Sequence, residues 1–311
     1  NKILITGGLG FIGSYFAEKL SMNSEIIILD NFSGYSKVAE SSLKNLKSVK
    51  IVDFDITKDN FDEFLRGVKT VFHFAANSDI SNGVNDPEID FNVTTLGTYR
   101  LLVSMSKNNV KNLIFPSGSG VYGDFKEGTL YEDHGPLNPV SYYGASKLSA
   151  EASISAFCQM TDMNALVFRF ANVVGFRQTH GVVFDLINKL KVNKETLEVL
   201  GDGYQSKSYI DVEDIYNAII LAASKTNSKY DVFNLATSDY ITVREIVSLI
   251  LNDLELFNTQ VLYGKEKFGW KGDVPIVRFS TKKIQSFGWK NNYSSKEAIE
   301  RSIKFISNDN F

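Results

Sequence analysis

The stretch Asn1-Lys2-Ile3-Leu4-Ile5-Thr6-Gly7-Gly8-Leu9-Gly10-Phe11-Ile12-Gly13-Ser14-Tyr15 decides the fold. Ile3, Leu4 and Ile5 form a short apolar run, which predicts a buried strand. Glycines follow at once, and Phe11, Ile12, Tyr15, Phe16 and Leu20 then recur at helical spacing. Strand, glycine turn and helix together are the context of a dinucleotide-binding fingerprint. Gly8, Gly10 and Gly13 satisfy G-x-G-x-x-G, and Gly7, Gly10 and Gly13 satisfy a second glycine spacing. Such glycines make a tight turn and let the backbone approach a pyrophosphate, while the N-terminal turn of the helix, at Phe11 and Ile12, faces the phosphates. The next apolar run, Glu25 to Asp30, ends in an acid 17 residues after Gly13, near the spacing of a carboxylate that holds ribose hydroxyls. A carboxylate there repels a 2′-phosphate, so NAD is expected rather than NADP. The plain alternative, a glycine-rich turn in a nucleotide-free α/β protein, does not account for strand, helix and acid occurring together.

Composition sets the outer bounds. The 311 residues, 43% hydrophobic and 22% charged, are those of an ordinary soluble globular protein of one large domain or two unequal ones. A net charge of −3 gives no basic footprint for nucleic acid. The single cysteine, Cys158, excludes an intrachain disulfide and fits a reducing cytoplasm. No apolar run is long enough for a membrane span, the chain as given leaves no room for a signal peptide, and no metal site is expected.

Further along, Asn31-Phe32-Ser33-Gly34-Tyr35 reads as a turn around the adenosine, with Asn31 and Ser33 at hand. Residues 36–48 read as loop or short helix. A third strand over 49–56 places Asp55 and Ile56 near the adenine. A helix over 58–65 and a fourth strand over 70–76 follow, with His73 read as a packed core histidine. Residues 87–107 read as one long helix and 110–115 as the fifth strand. Pro116 to Gly123 reads as a small-residue turn at a strand's carboxyl end, where ligands of doubly wound sheets sit. A helix carrying Tyr142 to Lys147 and a sixth strand over 165–170 complete a regular alternation, which predicts an α/β fold with a doubly wound parallel Rossmann sheet. Beyond Asn172 the pattern loosens into helices near 182–191, 211–224, 243–251 and 295–306 and short strands near 197–200, 208–210 and 232–235. The expected domains are residues 1–172 for the dinucleotide, with 211–238 returning to it, and 173–210 with 239–311 as a smaller mixed α/β substrate domain.

Tyr143 and Lys147 stand four apart on one helix face. A free phenol is a poor base, its pKa being about 10. A neighbouring ammonium, and the positive ring of oxidised NAD, favour the phenolate. Such a pair can take a proton from an alcohol while hydride leaves to a dinucleotide, and Lys147 can also hold the nicotinamide ribose. Tyr142 lacks a lysine at i+4. A chance surface Tyr–Lys pair is the plain alternative, weakened by the fingerprint that precedes it.

At this point the chain resembles the extended short-chain dehydrogenase/reductase superfamily, in its sugar-nucleotide epimerase/dehydratase branch. The resemblance rests on Thr6 to Gly13, Asp30-Asn31, Asp55-Ile56, His73-Phe74-Ala75-Ala76, Val121-Tyr122-Gly123, Tyr143-Gly144-Ala145-Ser146-Lys147, Arg169-Phe170-Ala171-Asn172 and Trp270-Lys271-Gly272-Asp273-Val274. Through Asn172-Val173-Val174-Gly175 and Thr179-His180-Gly181-Val182 it is most similar to compact UDP-glucose 4-epimerase-like proteins of archaeal type. The resemblance implies that Tyr143 takes the proton of a sugar 4-hydroxyl, that a transient 4-keto sugar turns over in the site, and that NAD is resident and not consumed. It also implies cofactor contacts at Phe74, Ala75 and Ala76 and substrate contacts at Ser78, Asn172, His180, Gly181, Val182, Lys207 and Lys271. A homodimer through 87–107 and 142–161 is implied as well, and the alternative is that these helix faces all serve the monomer core.

Three departures from the family pattern stand out. The catalytic Ser or Thr falls on Gly118, so Ser119, Ser117 or a water has to supply its hydrogen bond. An asparagine usual in the long helix falls on Thr94, and an arginine usual before Gly272-Asp273 falls on Trp270, with Lys271 beside it. The acids that resembling dehydratases and decarboxylases carry after the Ser/Thr are here Ser119 and Gly120, which favours 4-epimerisation of UDP-glucose/UDP-galactose type. Val277, where a bulky residue restricts the sugar 2-substituent, leaves UDP-GlcNAc/GalNAc open; a dehydratase, a reductase or a weakly active nucleotide-sugar binder are the remaining alternatives.

Overall fold

The computed structural model describes residues 1–77, 80–125, 128–269, 272 and 274–308, the side chains of 80–82 excepted. Strand β1 (Lys2–Thr6) is buried from Ile3 onward, as its apolar run requires, and Gly7 turns the chain into α1 (Phe11–Ser21). Strand β2 (Glu25–Asp30) covers the span expected. Within 36–48 lies α2 (Lys37–Lys44), capped by Ser36 Oγ, which accepts from Ala39 N at 3.2 Å. Strand β3 (Val49–Asp53) stops two residues short of Asp55. The helix expected over 58–65 shrinks to α3 (Asp62–Leu65). Residues 55–59 make only a single turn, in which Lys58 N and Asp59 N donate to Asp55 O and Asp55 Oδ1 accepts from Thr57 N and Oγ1.

Strand β4 (Thr70–His73) leads to α4 (Ile80–Asn85), which sequence reading missed. The long helix expected over 87–107 is divided. Its parts are α5 (Pro87–Asp90), with Asp86 as cap and Pro87 at the first position, a π turn (Phe91–Leu96), and α6 (Gly97–Lys107). Strand β5 (Asn112–Gly118) runs three residues past the expected end, so Pro116, Ser117 and Gly118 are strand rather than turn. A single 3-10 turn (Ser119–Val121) follows, then α7 (Tyr142–Met160) and β6 (Asn164–Phe170).

The remaining elements are β7 (Asn172–Val174), α8 (Val182–Val192), β8 (Thr196–Val199), β9 (Ser206–Lys207), β10 (Tyr209–Asp211), α9 (Val212–Lys225), β11 (Tyr230–Leu235), β12 (Ile241–Thr242), α10 (Val243–Asp253), β13 (Gln260–Tyr263), α11 (Lys282–Ser286) and α12 (Ser295–Asn308). Strands β7, β12 and β13 were not expected from the sequence. α10 starts in a capping box between Thr242 and Glu245.

The main sheet has seven strands in the order β11-β6-β5-β4-β1-β2-β3. Strand β1 pairs in parallel with β2 (Ile5 opposite Ile28) and with β4 (Ile5 opposite Phe72), so the strand order reverses at β1. This is the doubly wound α/β sheet expected, and its ligand position is the carboxyl end of the strands at that reversal.

The chain divides into two compact units. One holds Asn1–Val121, Tyr142–Arg169 and Lys225–Phe233; the other holds Tyr122–Ser141, Phe170–Ser224 and Asn234–Phe311. The first packs Leu4, Leu29, Val71, Leu113, Phe115 and Val167 into its core. The second packs Val183, Ile187, Leu190, Ile246, Ile250 and Ile299. Among the described residues no helix is long and apolar enough to cross a membrane, and no cluster of metal-ligating side chains occurs.

Candidate active site

The glycine turn is shaped for a ligand. Gly7 sits at φ +65°, and a Cβ there would lie 2.7 Å from Ala75 N, so the chain ends of β1 and β4 touch backbone to backbone. A Cβ on Gly13 would collide with Gly7 O, which is why α1 can start so close to the turn. Gly10 caps α1 with no side-chain hydrogen bond, and no acid stands in the first turn. The helix start at Phe11 and Ile12 therefore offers its dipole end to an anion without competition from a side-chain cap.

Asp30 is fixed at the end of β2. Its Oδ2 accepts from Leu9 N and its Oδ1 from Phe32 N, both at 2.9 Å. Burial pushes this carboxyl up, and the two amides oppose that. Asn31 Oδ1 accepts from Ser33 N and Oγ, which closes the turn after it. Asp55 lies past β3; burial opposes its charge, but Thr57 and Lys58 outweigh that and hold the carboxyl below its usual range. Ile56 is buried beneath the π turn's end at Gly97. Phe74, Ala75 and Ala76 follow β4 and are half-buried, with Ala75 N donating to Thr6 Oγ1. These residues fit a dinucleotide: a turn in which a Cβ on Gly7 or Gly13 would strike backbone, an uncapped helix start, and a carboxylate preset by two amides.

The second cluster lies at the carboxyl end of β5. Tyr143 and Lys147 are one turn apart on α7, and Lys147 is 3% exposed. Lys147 Nζ donates to Pro116 O at 2.9 Å and lies 5.7 Å from the Tyr143 ring centre. Tyr142 is 57% exposed. A Cβ on Gly118 would lie 3.7 Å from Tyr143 Oη and meet nothing closer. The missing Ser/Thr hydroxyl is thus missing at the place where it would meet the phenol. Ser119 stands in the 3-10 turn, half-buried, while Ser117 Oγ is buried with no hydrogen-bond partner.

One expectation is corrected. Lys147 does not draw the Tyr143 phenol below its ordinary value; burial, with the Asp90 carboxylate second, pushes it up to about 12. Burial likewise pushes Lys147 down to about 8, against the opposing pull of Glu151 and Asp90. His73 is a core histidine as read: its ring bonds Thr6 Oγ1 at 2.6 Å and Thr98 Oγ1 at 2.9 Å. Burial and then Lys147 push it down to about 3, so it is neutral.

In the second unit, Asn172 begins β7 and its Nδ2 reaches Ser208 O at 3.4 Å. His180, Gly181 and Val182 form the start of α8, where Gly181 sits at φ +91°. His180 O accepts from Gln178 Nε2, and Gln178 Oε1 in turn accepts from Ser302 Oγ on α12. Lys207 ends β9, half-buried, paired with Ile241 of β12. Val277 is half-buried. Ser78, Trp270 and Lys271 lie outside the described residues. Sequence reading missed three supports: Gln178, the buried Arg169–Glu151 pair, and Asp90 with Asn77. Glu151 was findable, because it repeats the Tyr143–Lys147 step four residues on.

Fold, cradle and Tyr–Lys pair together define a dinucleotide-binding enzyme of the Rossmann class. The profile of the NAD dependent epimerase/dehydratase family matches residues 3–236, and the chain belongs to that family, with NAD as its cofactor. It is 32% identical, over 99% of both chains, to a putative UDP-glucose 4-epimerase of Methanocaldococcus jannaschii. Among solved structures it is similar to UDP-N-acetylglucosamine 4-epimerase from Methanobrevibacter ruminantium, in complex with UDP-N-acetylmuramic acid (TM-score 0.88, 25% identity, 99% of both chains). It is also similar to UDP-glucose 4-epimerase of Thermus thermophilus in complex with NAD (TM-score 0.85, 29% identity, 99% of both chains).

Proposed function

We propose that the chain inverts C4 of a UDP-hexose, of UDP-glucose/UDP-galactose type, through a transient 4-keto sugar. The observation that carries this is the pair of half-buried Tyr143 and buried Lys147 at the carboxyl end of β5, in the same unit as the glycine cradle. Tyr143 Oη takes the proton of the sugar 4-hydroxyl and later returns it. Lys147, anchored on Pro116 O, supplies the positive charge that a phenol raised to about 12 needs before it can act as a base. Gly7, Gly10, Phe11, Ile12, Asp30, Asn31, Ser33, Asp55, Ile56, Phe74, Ala75 and Ala76 hold NAD, which when bound accepts hydride at C4 and gives it back. Because no net redox occurs, NAD stays with the protein. Ser119, in the 3-10 turn directly after Gly118, is the proposed stand-in for the hydroxyl that Gly118 lacks. On the substrate side the proposed contacts are Ser78, Asn172, His180, Gly181, Val182, Lys207 and Lys271. Lysine at 207 gives charge without the two-pronged grip of an arginine.

The sugar is tested by incubating the purified protein, with no added NAD, with UDP-galactose and in parallel with UDP-GalNAc, and following both C4 epimers by NMR. Conversion of UDP-galactose to a fixed epimer ratio is expected. Faster conversion of UDP-GalNAc would move the reading to the N-acetyl sugars, which Val277 leaves room for. A stable keto product would make the protein a dehydratase. No conversion even with NAD added would overturn the proposal.

The same reading carries a cytoplasmic homodimer. Phe91, Leu96 and Tyr99, on the π turn and α6, and Tyr142, on α7, expose apolar surface that a second copy would cover. Light scattering on the same preparation is expected to give twice the chain mass, and a monomer mass would overturn it.

A further inference from the structure

Lys147 is an ammonium almost without access to water, and its hydrogen bond goes to a neutral carbonyl, that of Pro116. A buried charge needs an opposite charge to remain ionised. Two carboxylates act on it, Glu151 and Asp90, and they are not equivalent. Glu151 spends both oxygens on Arg169 of β6: Nε to Oε1 at 3.1 Å and Nη2 to Oε2 at 2.7 Å. That pair is neutral by itself. Strand β4 contributes only His73, which is neutral, and Pro116 to Gly118 of β5 carry no titratable group.

Asp90 is different. It ends α5, is 1% exposed, and has no cationic partner among the described residues. Its Oδ1 accepts from Asn77 Nδ2 at 3.0 Å, while its Oδ2 has no donor at all. Gly83 makes room for that second oxygen, since a Cβ there would collide with it. A carboxylate so deeply buried, with one of its two oxygens lacking any donor, is not explained by packing. α5 and the π turn after it lie against α7, where Thr95 Oγ1 donates to Ser146 O at 3.4 Å, beside Lys147. Burial pushes the Asp90 carboxyl up, Asn77 and Lys147 oppose that, and Asp90 in turn acts on Lys147 and Tyr143.

We propose that Asp90 is the counter-charge of the Tyr143–Lys147 pair, a positioning residue held by Asn77 that keeps Lys147 an ammonium and keeps the proton on Tyr143 until substrate arrives. This rests on the reading of Tyr143 and Lys147 as the proton-handling pair. Without that carboxylate both groups would lose their protons more readily.

The test is a titration of lysine Cε carbons by 13C NMR in the holoenzyme, with Lys147→Met assigning the resonance. In the parent protein the Lys147 signal is expected to titrate near pH 8, well below surface lysines. In Asp90→Asn its midpoint is expected to fall by about one pH unit, the usual effect of removing a nearby charge. The alkaline limb of the kcat/KM profile is expected to fall with it. An unmoved midpoint in a folded variant would overturn the proposal and leave Asp90 a structural residue. Should Asp90→Asn fail to fold, the smaller neutral Asp90→Ser is read in the same way. The NMR midpoint needs no substrate, so a moved midpoint in a protein that epimerises nothing sinks the proposed function and spares this inference. An active enzyme with an unmoved midpoint does the reverse.

Discussion

Tyr143→Phe is expected to lower turnover of the UDP-hexose by roughly 10²–10⁴-fold, the usual contribution of a positioned proton donor and acceptor. The phenol oxygen is the only group this change removes, and the ring keeps its place beside Lys147 and over Gly118. NAD content is therefore expected to be unchanged, because the cradle at Gly7 to Gly13 and the Asp30 carboxylate are untouched. KM is expected to move little, since the loss falls on a transfer that occurs only in the reaction. Turnover and bound NAD are measured on the same preparation. Full turnover with NAD in place would mean that another group handles the proton, and the exposed Tyr142 would be the first to examine.

Gly118→Ser is expected to do the opposite and raise turnover, by about tenfold, which is the worth of one hydrogen bond of about 1.4 kcal/mol to a reacting oxygen. The geometry permits it: the new Cβ would rest in ordinary contact with Tyr143 Oη at 3.7 Å and press on nothing else. Gly118→Ala separates the two ways in which serine acts there, by its hydroxyl or by its bulk. Alanine fills the same space without a hydroxyl, so it is expected to lower turnover if a water occupies that space in the parent enzyme. If serine and alanine both raise KM and depress turnover, the space belongs to a substituent of the substrate itself, and the glycine is then a specificity residue.

Much of the first unit was legible because its signals are short-range. A strand, a glycine turn and a helix lie within the first twenty residues, and an acid ends the next strand. The Tyr–Lys step needs only the period of a helix. Charge balance was not legible, because it depends on which elements come together. Lys147 alone predicts a lowered phenol, but burial and Asp90, 53 positions before Tyr143 in the chain, reverse the direction. Asp90 itself reads as a surface acid of a helix start, since nothing local marks Asn77 and Gly83 as its neighbours. The second unit was legible in its amphipathic helices. It was not in β7 and β12, two or three residues long and too short to show a period, nor in β13, whose four residues lack the polar–apolar alternation that marks β8. The support of His180 by Gln178 and Ser302 joins residues 124 positions apart and leaves no trace in the sequence.

The π turn between Asp90 and Gly97 has a consequence for how this segment tolerates change in length. A helical stretch with a wide turn carries one residue more than a regular helix needs to connect the same two ends. Early in α6, by contrast, a deletion would rotate the helix beyond it by about 100°, given 3.6 residues per turn. Leu101, Leu102 and Met105 would then leave the core they pack in. Within Phe91–Leu96 the lost residue can be absorbed by tightening the turn to an ordinary α-helix, with both ends keeping their faces. Homologous chains can therefore differ by one residue here and still superpose on either side, and an alignment that spreads such a gap along the helix would misplace Thr94, Gly97 and Thr98 together.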